Sequence, residues 1–141
     1  MGFFSKLFSS EIEYPPLDDK NPAARQVQSL RSSIEAIAEQ VQVPIEVVPS
    51  EDKAYIFAGN PPKEFGVFWV DHGQVGSLKK LADERGMTPS DLMRLSEHLR
   101  KAYINSQSES RFSAETSKGK VTVTPSPSLL KEVQKIIQQD I

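Results

Sequence analysis

The sequence IEVVPSEDKAYIFAGNPPKEFGVFWVD, residues 45–71, decides the fold class. It contains three short runs rich in β-branched and aromatic residues, which is typical of strands. The intervening PSEDK and GNPPKE are turn sequences, and connections this short favour antiparallel pairing over parallel crossovers. The sequence therefore predicts a three-stranded antiparallel meander. Because the second and third runs are apolar on both faces, we expect one face to pack on a helix and the other on a further element or another subunit.

A long amphipathic helix is predicted before the strands, over about residues 22–42. Asn21 is a preferred N-cap, and Pro22 suits the first helical position. Apolar residues then recur at spacings of three and four, which places them on one face of a helix, and the pattern stops before Pro44. The stripe consists of Val27, Leu30, Ile34, Ile37 and Val41.

A helical hairpin is predicted after the strands. Gly86 is a typical residue just beyond a helix end. Thr88, Pro89 and Asp91 form a variant of the capping box that starts the next helix. The predicted fold class is therefore α+β: an N-terminal helix, the meander with a possible fourth strand at 119–124, the hairpin and a C-terminal amphipathic helix.

The chain divides into four predicted parts. An amphipathic N-terminal segment is followed by an acidic linker, and a globular α-βββ-αα domain comes next. A Ser-rich polar segment then reads as a linker or long loop, and a strand with the C-terminal helix ends the chain. The predicted bounds are 1–20, 21–105, 106–118 and 119–141.

Composition excludes several classes of function. The net charge of −2 gives no overall attraction for nucleic acid or anionic membrane. The absence of cysteine excludes disulfides, thiolate nucleophiles and cysteine-ligated zinc. No run approaches the roughly 20 apolar residues of a membrane span, and no secretory signal pattern is present. We therefore expect a cytoplasmic protein, with peripheral contact at the inner membrane face left open.

Few residues suggest catalysis. The histidines are His72, beside Asp71 after the third strand, and His98 in the second helix of the hairpin. No nucleophile motif, phosphate loop or dinucleotide fingerprint occurs, and two separate histidines make a poor metal site. We expect no catalytic residue, no metal and no cofactor; an enzyme built around His72 is the weakest alternative.

The stretch LKKLADERGMTPSDLMRL, residues 78–95, resembles the helix-turn-helix of bacterial repressors. It has the small residue (Ala82), the turn glycine (Gly86) and the apolar residue after it (Met87) that this unit uses. Arg85 departs from that pattern, but the ribbon-helix-helix family, which the turn also resembles, tolerates arginine there. In that family the preceding strand reads DNA, whereas FGVFWV here offers few groups for base edges.

The resemblance covers residues 77–103 and implies a set of DNA contacts. A plain helical hairpin with good caps explains the same residues. If the resemblance holds, DNA contacts are expected at Lys79, Lys80, Ser90, Arg94, Arg100 and Lys101.

Two terminal segments are candidate contacts for a protein partner or a membrane surface, because each presents apolar residues at helical spacing. The leading hypothesis is a non-catalytic interaction or adaptor protein that also forms a homo-oligomer. The alternative is a DNA-binding transcriptional regulator that uses the helical pair. The candidate contacts are Phe3, Phe4, Leu7 and Phe8 at one end, and Leu130, Val133 and Ile137 at the other.

Overall fold

The computed structural model describes residues 14–139, and in this range a six-stranded mixed sheet lies between two helical layers. The fold is mixed α and β, with five helices in the described range. In chain order the elements are α1 (Pro22–Ser29), α2 (Arg31–Val41), β1 (Ile45–Pro49), β2 (Lys53–Asn60), β3 (Glu64–Asp71), β4 (Gln74–Ser77), α3 (Leu78–Arg85), α4 (Pro89–Asn105), β5 (Phe112–Thr116), β6 (Gly119–Val123) and α5 (Pro127–Gln139).

The sheet is larger than the predicted three-stranded meander. Strands β1, β2 and β3 do pair antiparallel in chain order. However, β4 extends the sheet beyond β3, and β6 pairs in parallel with β1, so the strand order is β4-β3-β2-β1-β6-β5. The predicted fourth strand at 119–124 therefore corresponds to β6, which lies inside the sheet because β5 covers its other side.

The predicted helix over 22–42 is two helices, α1 and α2. Leu30 leaves helical geometry with φ −102° and ψ 7°, and its N–H is shared between the carbonyls of Gln26 and Val27. No proline or glycine marks this position, so the break has no sequence signal. The apolar stripe still faces the sheet, since Val27, Leu30, Ile34 and Ile37 are buried in the same core.

Helices α3, α4 and α5 cover the other sheet face. Their core includes Val48, Phe57 and Val67 from the strands and Leu95 and Leu99 from α4. Of the predicted C-terminal contact residues, Val133 and Ile137 are buried in this layer and Leu130 is partly buried against it. The amphipathic face of α5 packs on its own sheet, and burying that face is the usual source of helix stability.

The predicted polar linker over 106–118 contains a strand instead. Phe112 and Ala114 of β5 pair with the β6 residues Val123 and Val121, and Arg111 before them is buried. The sequence did not indicate this strand, because the segment is Ser-rich and the strand has only two apolar positions. Residues 14–17 of the predicted N-terminal linker run along the outer side of β5, where Ser113 exchanges backbone hydrogen bonds of 2.8 and 2.9 Å with them.

The predicted N-terminal contact residues Phe3, Phe4, Leu7 and Phe8 lie outside the described residues. Within 14–139, no helix has the length and apolar character needed to cross a membrane.

Candidate interaction surface

The corner between α3 and α4 is built by two caps that the sequence predicts. Gly86 adopts a left-handed φ of 61° and its N–H bonds to the Ala82 carbonyl. The Thr88 hydroxyl accepts from the Asp91 N–H, and the Asp91 carboxylate accepts from the Thr88 N–H, both at 3.1 Å. The hydrogen bond from the Thr88 backbone N–H, and then interaction with the Thr88 side chain, lowers the pKa of the Asp91 carboxyl. The corner therefore fixes where α4 begins.

Helix α4 has a buried inner face and an exposed outer face. Leu95, Leu99, Ala102 and Tyr103 pack into the core. On the other side, residues at helical spacing line a shallow depression of about 400 Å³, and the most exposed of them is Met93, at 74%. We call this set the outer stripe of α4. It consists of Ser90, Met93, Arg94, Glu97, His98 and Lys101.

The outer stripe brings together only some of the predicted DNA-contact residues: Ser90, Arg94 and Lys101. Lys80 lies instead in a depression beside β4, and Lys79 is exposed nearby on α3.

Arg100 is held by the turn between β2 and β3. Its guanidinium donates to the carbonyls of Pro62 and Lys63, pairs with Glu97, and lies 5.9 Å from the centre of the Phe65 ring. Arg100 therefore holds the β2–β3 turn against α4 in this structure.

The outer stripe carries both signs of charge. Arg94 and Lys101 are cationic, whereas Glu97 is on the stripe itself and Asp91 lies 3.5 Å from the Arg94 guanidinium. Phosphate binding requires several uncompensated cations. The stripe therefore combines an exposed methionine with side chains of both charges.

The outer stripe does not assemble a nucleophile with a base. Ser90 and His98 are eight residues apart, which is about 12 Å along a helix axis, and a hydroxyl–imidazole pair must be within about 3 Å. Within residues 14–139, no group of three or more carboxylate or imidazole side chains is placed to hold a metal ion.

His72 is an exposed turn residue. Its side chain is 74% exposed, its Nδ1 contacts the Asp71 carboxylate, and its Nε2 lies 3.7 Å from Asp52. The depressions on α4 and beside β4 do not include it. The turn therefore provides a small cluster of ionisable side chains that lies outside these two depressions.

A buried ion pair under α4 is the main polar feature that sequence reasoning missed. Glu46 of β1 and Arg111 are each only 8% exposed, and the Arg111 Nε lies 3.1 Å from the Glu46 carboxylate. The same carboxylate accepts from the Tyr103 hydroxyl at 2.8 Å and the Thr124 hydroxyl at 2.9 Å. Burial, and then the charge of Glu46, raises the pKa of Tyr103.

The Arg111 side chain makes further contacts in this network. Arg111 also donates to the Ser106 carbonyl and hydroxyl, both at 3.0 Å, and its guanidinium lies over the Tyr103 ring. In the described part of the chain, every buried side-chain nitrogen and oxygen has a hydrogen-bond partner. The network therefore joins β1, α4 and the segment before β5.

Neither the family models, nor the curated proteins, nor the solved structures with which the chain was compared give a match.

Proposed function

We propose that this chain is a non-catalytic interaction protein that binds a protein partner through the outer stripe of α4. The observation that carries the proposal is the exposure of Met93, at 74%, in a depression that Arg94, Glu97 and Lys101 also line. Methionine is a flexible, polarisable side chain that suits adaptable protein contacts. The rest of α4 is anchored in the core, so the stripe is presented on a rigid support.

The chemistry of the stripe specifies the kind of partner. The apolar residue of the stripe is Met93, and the charged residues Arg94, Glu97 and Lys101 line the same depression. This surface suits a partner element that presents an apolar side chain together with charges of both signs. Such an arrangement buries the centre and leaves the charges at a solvated rim, where they influence orientation more than affinity.

The N-terminal residues Phe3, Phe4, Leu7 and Phe8 remain part of this proposal as a second contact. Their apolar side chains suit a protein groove or the inner face of a membrane, in keeping with the proposed cytoplasmic location. With one lysine among them and acidic residues following, membrane attachment would need a second signal.

Site-specific photocrosslinking in the source cells tests the stripe. A photoreactive residue at position 93 is expected to give one dominant adduct, whereas the same residue at position 43 is not. Val43 is the matched control because it is also apolar and exposed, at the end of α2. Met93→Glu should then remove adducts formed from position 101, and Val43→Glu should leave them. Equal adduct patterns from positions 93 and 43 would refute the proposal.

The outer stripe of α4 also allows a test of the alternative that the chain binds DNA. Ser90, Arg94 and Lys101 do share a surface, and the α3–α4 corner has the expected caps. Because Asp91 pairs with Arg94 and Glu97 pairs with Arg100, we expect no binding of random duplex DNA at about 50 mM salt. Salt-dependent binding that Arg94→Ala and Lys101→Ala both weaken would instead support the regulator.

A further inference from the structure

The outer side of β4 is an unpaired sheet edge within residues 14–139. The turn before it, His72–Gly73, has positive φ at both positions, 51° and 81°, as in a two-residue hairpin. The residues flanking such a turn are hydrogen-bonded to each other, and bonded and non-bonded pairs alternate along the hairpin. Val75 comes one position after the flanking residue, so its N–H and C=O point away from β3.

Apart from its length of only four residues, this edge lacks the usual features that prevent strand addition. Gln74–Ser77 contains no proline and no charged residue, and the Val75 side chain is 40% exposed. The opposite edge of the sheet is different, because residues 14–17 run along β5 and bond to Ser113. Among the described residues, β4 is therefore the edge open to another strand.

The two ends of β4 carry opposite charges. Asp52 and Asp71 have exposed carboxylates at the turn end. Lys79 and Lys80 are exposed at the other end, in the first turn of α3. A strand of four residues separates these ends by roughly 10–13 Å. If a second β4 lies antiparallel to the first, each acidic end meets the basic end of the other copy.

We propose that two copies of this chain associate through β4, antiparallel about a two-fold axis, so that one sheet runs through both. Antiparallel pairing about such an axis uses the same surface on both copies and leaves no free β4 edge, so association stops at the dimer. The surface is separate from the outer stripe of α4, and the inference does not depend on the proposed function.

A tryptophan beside β4 offers a local signal for this pairing. The indole of Trp69 packs over Gly76, where an added Cβ would lie 2.1 Å from its Nε1. The same indole lines the depression of about 270 Å³ between β4 and α3. Since Trp69 is the only tryptophan of the chain, its fluorescence reports on this edge alone.

Sedimentation equilibrium of the full-length chain tests the dimer. A short strand contact binds weakly, so concentrations from about 1 to about 300 µM are needed. The expected mass rises from 15.7 kDa to twice that value, and Trp69 emission shifts over the same range. A chain that stays monomeric, or one that forms assemblies larger than a dimer, would overturn the proposal.

Complementary charge reversals test the antiparallel arrangement. One variant carries Lys79→Glu with Lys80→Glu, and the other carries Asp52→Lys with Asp71→Lys. Each alone should dimerise at least tenfold more weakly, because like charges meet at both ends. An equimolar mixture should restore dimers, because every end then meets its opposite. Dimers unaffected by either reversal, or a mixture that stays monomeric, would exclude this pairing.

Val75→Pro tests the backbone contact, since it removes an N–H that points away from β3. It should abolish the dimer while Val75→Thr, which keeps the N–H, retains it. Circular dichroism checks that both variants remain folded. If Val75→Pro unfolds the chain, the charge-reversal mixture decides the question by itself. A folded Val75→Pro variant that still dimerises would contradict strand pairing.

Discussion

Glu46 lies on an interior strand, and its carboxylate is bound by three side chains: Arg111, Tyr103 and Thr124. Glutamate in a strand of otherwise apolar residues reads in sequence as a solvent-facing position. Its partners come from 57 to 78 residues further along the chain, so no local pattern indicates the contact. Both charged side chains are buried, and the pairing makes burial of the charges tolerable.

Removing one partner of the Glu46–Arg111 pair should therefore lower the free energy of unfolding more than removing one partner of a surface ion pair. Glu46→Gln leaves the Arg111 charge buried, which typically lowers the free energy of unfolding by about 3–5 kcal/mol. The matched control is Glu39→Gln, which removes the exposed 3.3 Å pair with Lys118, and its cost should stay within about 1 kcal/mol. Urea denaturation measures both. Equal costs would show that the buried pair is not a stability determinant.

Tyr103 makes a separate prediction for alkaline pH. Its pKa is raised in the folded chain, so folding favours the neutral phenol. The stabilisation is complete below the unfolded pKa of about 10 and is lost as the pH rises above that value. Tyr103→Phe should lower stability at pH 7 through the lost hydrogen bond, yet flatten the decline above pH 10. Tyr55, whose pKa is also raised by burial, accounts for part of the decline, so Tyr55→Phe is the comparison. A Tyr103→Phe profile as steep as wild type would contradict the prediction.

Among the helices and strands, the features that the sequence predicts correctly are those that depend on neighbouring residues. The N-caps at Asn21 and Thr88 and the left-handed Gly86 are confirmed, because each depends on residues only a few positions apart. The break at Leu30 and strand β5 were missed, since the first has no helix-breaking residue and the second depends on pairing with β6. Three residues of the outer stripe of α4, Ser90, Arg94 and Lys101, were named from the sequence only as possible DNA contacts.

The Gly86 cap gives a prediction for the α3–α4 corner. Its φ is 61°, and an added Cβ would have no atom within 4 Å, so only backbone strain opposes a side chain. Gly86→Ala should cost about 1–2 kcal/mol of unfolding free energy, while Gly86→Asn should cost less because asparagine tolerates this conformation. Thermal denaturation of the two variants measures the difference. An alanine variant as stable as the asparagine variant would contradict the strain argument.

For the whole molecule, the order of strands in the sheet determines which segments of the chain need one another in order to fold. The sequence suggests a domain at 21–105 followed by a linker, because composition becomes polar there. In the structure, β6 pairs with β1, and α5 packs on the same core as α4. Contacts between segments so distant in sequence cannot be found from local composition, since a parallel crossover leaves no signature at its ends.

The fragment 21–105 should therefore fail to fold by itself. Without residues after 105, β1 loses its parallel partner, and Glu46 loses Arg111 and Thr124 while remaining among apolar side chains. The core face that Leu129 and Val133 cover would also meet water. We expect the fragment to show no cooperative thermal transition by circular dichroism, whereas residues 14–139 unfold in a single transition. Adding a separately made 106–141 peptide should restore some structure, because the missing contacts are non-covalent. A cooperatively folded 21–105 fragment would show that the first part of the chain is an independent domain.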